Sequence, residues 1–514
     1  MFSGKIKPIE VAALCILAIA VFALYANTLN SSFHLDDERV IWDNPAIFMK
    51  QVTWDNLATA GLESKIRTRP VAHITFAFNY YFHHLDVRGY HVVNIIIHIL
   101  TGILLFYLIK TTLSLPCLAE RHGNGRAIFF ISFSTAAIWL VHPMQTQSVT
   151  YIVQRMTSMA AMFYILSMLL YVKARLAAGK HRKWALFAGC AMAGILSLGT
   201  KENGATLPFF IFLYEWYFLQ DMHFTLSPYK RQWFLLAGAL IVFGCLTLIY
   251  LGGSPVKSTI SSYAKFDFTL TQKLLTEFRV VVLYVSLLFF PHPNRLNLDY
   301  DFLYSPSLFS PAATFFSVMA LAGLAVAAVL TARKHRLLSF SVLWFLGNLV
   351  IESSFIPLEL VFEHRTYLPS MFVILLIVAT LYRHLAAQKY VLYGACIIIL
   401  AISSYWTVER NKVWADELTL WQDCLEKSPN KWRVHNNLGK EYFRRWETDK
   451  AIFHYEKALY FRPNDIMPRM NLASALAMKK RYQEAIIQLQ IVLSQDPGNL
   501  KARKHLRANQ EFLK

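Results

Sequence analysis

Long stretches without a single charge constrain this chain more than any other feature. Val11–Ala26 (VAALCILAIAVFALYA) and Pro311–Ala332 (PAATFFSVMALAGLAVAAVLTA) are two of them. About 20 such residues, coiled as a helix, cross the roughly 30 Å of hydrocarbon in a bilayer. Only 16% of the residues are charged, where soluble domains hold about a quarter. Most of the chain therefore reads as membrane-embedded. Met1–Ala26 opens with Lys5 and Lys7 like a signal peptide, but no small-residue cleavage pattern follows, so it reads as a retained first helix starting in the cytoplasm.

Twelve apolar segments are legible, at about 8–26, 91–109, 127–142, 149–171, 184–199, 205–219, 233–251, 273–290, 311–332, 337–351, 369–386 and 390–406. Short basic loops mark the cytoplasmic side. Lys110–Arg126, Lys173–Lys183, Lys230-Arg231, Arg333–Arg336 and Arg383–Lys389 all qualify. Twelve alternating spans cannot place all five inside. Leaving out 273–290, which carries Glu277 and Arg279 and suits an interfacial or re-entrant position, restores the alternation. The expected fold is all-α: a polytopic membrane helical bundle of about 11 spans over 1–406, then a charged helical tail over 407–514. Loops 27–90, 252–310 and 352–369, and the tail, then lie outside. The formal charge of +19 follows from these topogenic loops, so no nucleic-acid partner is expected. Cys15, Cys117, Cys190, Cys245, Cys396 and Cys424 show neither metal-ligand nor redox spacing and read as small buried side chains.

The tail repeats itself. Leu438, Gly439, Tyr442, Ala451, Tyr455, Ala458 and Pro463 are followed 34 residues later by Leu472, Ala473, Leu476, Ala485, Leu489, Val492 and Pro497. Trp421, Cys424 and Pro429 form a partial earlier copy. Small residues where paired helices cross and a proline closing each unit are the pattern of tetratricopeptide repeats, giving a short α-solenoid. The tail holds 20 Lys and Arg against 13 Asp and Glu, which suits peptide binding, contact with anionic membrane lipids or a plain solvated surface.

Polar blocks interrupt the apolar chain in a fixed order. Phe33-His-Leu-Asp-Asp-Glu-Arg39 places three consecutive acids close to a membrane surface, where they are costly unless hydrated, paired or functional. They serve either as a solvated loop start or as a carboxylate base that deprotonates an acceptor hydroxyl. Thr68-Arg69-Pro70 follows, then His91, Asn94 and His98 on one face of a helix. His142-Pro-Met-Gln-Thr-Gln-Ser-Val-Thr-Tyr-Ile-Val-Gln-Arg155, Thr200-Lys-Glu-Asn203, Asn297-Leu-Asp-Tyr-Asp301 and Phe362-Glu-His-Arg-Thr-Tyr-Leu-Pro-Ser370 complete the series. Arg155, Lys201 and Arg365 sit at apolar helix ends and need an anionic partner, either a substrate phosphate or a nearby acid. Glu202 for Lys201 and Glu363 for Arg365 are the neighbours in sequence. Arg69 suits a phosphate or lipid headgroups. His91, His142 and His364 have no zinc spacing and suit hydrogen-bonding roles. No phosphate-binding glycine loop or nucleophile elbow is present, which disfavours a soluble nucleotide donor.

In this order, with this tail, the blocks resemble the bacterial relatives of the transmembrane and tetratricopeptide-repeat O-mannosyltransferases, within the GT-C glycosyltransferase class. The resemblance spans nearly the whole chain. It implies a GT-C membrane fold, an inverting transfer from a polyprenyl-phosphate sugar to a protein or peptide hydroxyl, and an active site facing the periplasm of a bacterial inner membrane. By carry-over Asp36 is the base and Asp37 its neighbour. The pair reads Asp-Asp where the related enzymes have Asp-Glu, so the acceptor falls to either acid or to Glu38, with His91 nearby. Arg69, His142, Arg155, Lys201, His364 and Arg365 are the candidates for donor phosphate and substrate. No cofactor is demanded, although some members of the wider class use a divalent ion, and magnesium or manganese could be held by Asp36. Other readings are a transporter with a docking tail, a non-catalytic membrane scaffold whose repeats recruit envelope-assembly partners, and a surface-polysaccharide polymerase or ligase.

Overall fold

The computed structural model describes residues 7–118, 124–222 and 261–513. Among the described residues the protein is helical, with no strand beyond one isolated bridge between Ser307 and Ser310. The chain divides into two compact units, Met1–Pro293 with Leu303–Asn411, and Asn294–Phe302 with Lys412–Lys514.

The first unit runs through α1 (Pro8–Tyr25), α2 (Trp54–Leu62), α3 (Pro70–His83), α4 (Val87–Leu113) and α5 (Gly125–Leu140). A short α6 (Thr146–Val149) follows, then α7 (Arg155–Leu176), α8 (Lys180–Leu198) and α9 (Leu207–Tyr214). Beyond 261 come α10 (Leu270–Phe289), α11 (Ala312–Thr331), α12 (Arg336–Leu349), α13 (Ser370–Leu385) and α14 (Lys389–Val413), whose last turn enters the second unit. Five helices are long and apolar enough to cross a membrane: α1 with its continuation to Thr28, α4, α7 with the turn before it, α11 and α14. A sixth arises if α5 and the segment Pro143–Val149, bent by 54° from it, count as one span. These described residues thus supply five or six spans rather than the eleven expected, and the apolar run 233–251 lies outside them. α10 keeps Lys273, Glu277 and Arg279 and is not among the five.

Between the helices that fill the apolar segments 127–142 and 149–171 the chain breaks. Pro143 opens a 3-10 turn, since proline suits a first helical position but not a helix interior. His142 caps that turn through Nδ1, which accepts the Met144 amide at 3.3 Å. Backbone groups freed by such a break must be satisfied by the protein, because lipid offers no partner. Asn94 meets this need, its side-chain amide donating to the carbonyls of Val149 (3.1 Å) and Ile152 (3.2 Å). His98 Nε2 donates to the Leu140 carbonyl at 2.9 Å, and its Nδ1 accepts the Tyr367 hydroxyl at 2.7 Å. The helix face His91–Asn94–His98 therefore serves the break.

The second unit comprises α15 (Glu417–Lys427), α16 (Trp432–Arg444), α17 (Thr448–Phe461), α18 (Ile466–Met478), α19 (Tyr482–Gln495) and α20 (Leu500–Glu511). The 34-residue period is written into the backbone. Trp446 and Lys480, one period apart, both take positive φ (64° and 60°). After each, the next amide closes onto the same carbonyl of the preceding helix, Glu447 onto Tyr442 and Arg481 onto Leu476, both at 2.9 Å. Asn294–Phe302 forms a strap in this unit. Asp299 makes a two-pronged bond to Arg433 (2.6 and 2.8 Å), while Lys427 and Lys431 donate to the carbonyls of Leu296 and Tyr300. The Asn297–Asp301 block is thus used structurally.

The helix crossing in the first repeat tolerates little. A Cβ on Gly439 would come within 2.5 Å of the Tyr455 ring, whereas the second repeat places Ala473 and Leu489 at the same register. Gly439→Ala should destabilise the repeats by about 1–3 kcal/mol, as overpacking does. Adding Tyr455→Leu, the second repeat's own combination, should recover most of it. Hydrogen exchange across 432–478 measures both.

Candidate functional site

The acid loop is fastened to the break. Asp37 is fully buried, and its two carboxylate oxygens accept backbone amides from two distant segments, His34 (2.9 Å) and Val153 (2.7 Å). The amide of Asp36 donates to the Tyr151 hydroxyl at 2.9 Å, while the Asp36 side chain stays exposed. His91 donates from Nε2 to the Ser31 carbonyl at 3.0 Å and steadies the strand of loop leading in. Glu38 begins the next turn, taking the Asp43 amide on its carbonyl. One acid is thus spent on architecture and the next in line is presented to solvent.

Arg155 heads α7 and is completely buried. Its Nε donates to Asn94 Oδ1 at 2.7 Å, and its terminal nitrogens to the carbonyls of Thr75 (3.3 Å) and Tyr90 (3.1 Å). The guanidinium also lies 4.6 Å from the Phe76 ring centre. These bonds tie α3, α4 and α7 together, so the protein itself supplies the partners that the sequence left open. His142 is likewise turned inward, donating from Nε2 to the Leu288 carbonyl at 3.1 Å.

On the other side of the first turn of α7 lies a cationic cluster. Arg69 makes a two-pronged ion pair with Glu202, from Nε (3.1 Å) and Nη2 (2.8 Å) to Oε2, and its Nη1 reaches the Met156 sulfur at 3.3 Å. Lys201 donates to Thr157 Oγ1 (2.9 Å) and pairs with Glu352 (2.8 Å). The sequence neighbour Glu202 is therefore the partner of Arg69, not of Lys201. Arg365 donates to the carbonyls of Leu360 and Glu359 and faces Glu277 at 3.7 Å, whereas its neighbour Glu363 lies 3.8 Å from Arg410. The backbone amide of His364 donates to Gln147 Oε1 at 2.8 Å. A small cavity with room for about one water opens between Thr157, Tyr164, Lys201, Asn203, Asn348 and Arg365.

Electrostatics separates these groups. Burial alone would raise the Glu352 carboxyl, but the Lys201 ammonium and the Arg365 guanidinium override it and hold it well below the usual carboxylate range. His364 is driven far down by burial and by Lys201, so its imidazole is neutral. Asp37 goes the other way: burial pushes its carboxyl up to about 7 against the pull of the His34 and Val153 amides. Among the described residues no three His, Cys, Asp or Glu side chains converge, so Asp36 has no set of such donors around it to hold a metal ion.

Sequence reasoning missed Tyr151, Glu352 and Glu277 as participants. Each is a polar residue in or beside an apolar segment, which was the available signal, but their partners lie far away along the chain. Residues 153–157 touch all three groups: Val153 the acid loop, Arg155 the Asn94 amide on α4, and Met156 and Thr157 the cationic cluster.

Two outcomes test this geometry. Lys201→Met strands a buried carboxylate and should cost about 3–5 kcal/mol, while Lys201→Met with Glu352→Leu should recover most of the loss. Thermal unfolding in detergent reads both. For Asp37, the folded state keeps a proton that the unfolded chain releases from about pH 4 upward. Its contribution therefore lowers stability as pH climbs from 4 to 7 and adds no slope above 7. Asp37→Asn should flatten that part of the profile.

The tetratricopeptide repeat family matches residues 432–465. Protein O-mannosyl-transferase Tmtc3 of Drosophila melanogaster is 24% identical over 92% of this chain. TMTC3 of Homo sapiens is 22% identical over 94%, and F38B6.6 of Caenorhabditis elegans, also a protein O-mannosyl-transferase, is 25% identical over 86%. The chain spans 57%, 55% and 61% of the lengths of these three relatives. A multi-pass membrane chain that ends in such repeats and aligns with them over most of its own length is a relative of the TMTC protein O-mannosyl-transferases.

Proposed function

We propose that this chain is an inverting, GT-C-type membrane glycosyltransferase. It takes a sugar from a polyprenyl-phosphate lipid and joins it to a hydroxyl of a protein on the outer, periplasmic face of a bacterial inner membrane. The names of the relatives suggest mannose and a protein acceptor. The observation that carries the reading is the division of labour between adjacent acids, Asp37 sealed into the loop-to-break junction and Asp36 exposed above it.

In this mechanism Asp36 takes the proton of the acceptor hydroxyl as its oxygen bonds to the sugar's anomeric carbon and the bond to the lipid phosphate breaks. The leaving phosphate needs no strong general acid, only a positioned cation. Arg69 is the cation best placed for it. Its side chain is 23% exposed and its partner Glu202 44%, so a phosphate can replace that carboxylate. Lys201 and Arg365, both deep and paired, hold the wall behind it. Arg155, His91, His142 and neutral His364 position the chain rather than touch substrate. The repeats hold an extended acceptor segment, as α-solenoids do. They share the side of the membrane on which the strap Asn294–Phe302 emerges, since that strap is part of their unit.

The test follows a labelled polyprenyl-phosphate sugar incubated with purified protein in lipid. Asp36→Asn should lower transfer by about 10²-fold or more, the scale of general-base catalysis, with an unchanged melting temperature. Full activity in that variant removes Asp36 as base. If the unaltered protein consumes none of a panel of such donors in the presence of acceptor extract, the scaffold reading replaces the enzyme.

A further inference from the structure

The second unit carries a surface that neither sugar transfer nor repeat packing uses. On α17, Lys450, Phe453, Lys457 and Tyr460 are spaced by three and four residues, which places them on one narrow stripe of the helix. Trp446, in the turn just before α17, extends it. Exposure is 77% for Trp446, 53% for Phe453 and 75% for Tyr460. Lysines are threaded between the rings. Lys457 Nζ lies 5.8 Å from the ring centres of both Phe453 and Tyr460, while Lys450 sits 5.2 Å from that of Tyr442 and pairs with Glu447.

The second repeat offers an internal comparison. At the same register it has Lys480, Glu484, Ile487, Ile491 and Ser494, with no aromatic and with an acid in place of Lys450. Buried positions keep their character between the two repeats, as Ala451 and Ala485 or Tyr455 and Leu489 do, so packing does not demand this outer pattern. Trp, Tyr and Phe interleaved with Lys make up the surface that proteins present at the level of lipid headgroups. The ring bodies enter the acyl boundary, and the ammonium groups stay with the phosphates they complement. The second unit is joined by a short link to a helix that can cross a bilayer. α14 is apolar and long enough to cross one and ends at Val413, and α15 starts at Glu417. The short link between them extends to at most about 14 Å.

We propose that Trp446, Lys450, Phe453, Lys457 and Tyr460 form a membrane-interface anchor that lays the outer side of the first repeat on the headgroup layer of a bilayer. This holds the repeats down while their other surfaces remain available.

The full chain in nanodiscs of phosphatidylcholine with a quarter phosphatidylglycerol tests it. A benzoylphenylalanine photo-crosslinker replaces Phe453 or, for comparison, Ile487, which is also exposed. Irradiation should give several-fold more phospholipid adduct from position 453 than from 487. Equal yields, no adduct at 453, or an adduct to protein there overturns the proposal. Independently, brominated lipids should quench the tryptophan emission of the unaltered protein more than that of Trp446→Phe. Identical quenching overturns it as well.

Discussion

A helix interrupted inside an apolar bundle leaves carbonyls and amides that only the protein can satisfy, and the membrane unit is organised around one such interruption, between Leu140 and Arg155. Asn94 and His98 on α4 take up the stranded carbonyls, His142 caps the first turn, and Asp37 receives the Val153 amide. These bonds set the height and direction of the acid loop. In the sequence alone His142 and Asp37 are candidate site residues. In three dimensions they are the frame that leaves Asp36 as the acid turned outward.

Charge in this unit is scarce and is used in pairs that join elements distant in sequence. Lys110 holds Glu10, Arg175 holds Glu215, Arg69 holds Glu202 and Lys201 holds Glu352. Such buried or half-buried pairs add little net stability, because desolvation offsets much of their attraction. They do set which helices can be neighbours, since a mismatched arrangement strands a charge in an apolar medium. The turn at residues 200–206 is fixed in this way from two sides, by Arg69 on Glu202 and by Glu352 on Lys201, with Asn203 adding a bond to Glu352 at 2.9 Å.

Hydropathy and period carried the sequence a long way. The uncharged runs became α1, α4, α11 and α14, and the 34-residue self-similarity became paired helices, whereas the left-handed turns at Trp446 and Lys480 were not legible, since neither residue announces such a turn. Partner choice was not legible. Lys201 next to Glu202, and Arg365 two residues from Glu363, invite local pairing, yet at these sharp turns adjacent side chains diverge, and each cation meets an acid from another segment. Nor could an apolar run distinguish a span from a broken one. The polar block His142–Arg155 separates the apolar segments 127–142 and 149–171, but nothing in it says that Pro143–Val149 bends by 54° from α5. The division of the acids was equally hidden, because burial of Asp37 depends on Val153, a residue with no polar side chain to signal it.

The strap has a consequence for how the protein is made. Asp299 is synthesised 134 residues before Arg433, the cation that buries it. Between the two lie α11 and α14, both long and apolar enough to cross a bilayer. The second unit is thus assembled from two instalments of chain, and it cannot close until the second has been made, after both of those helices.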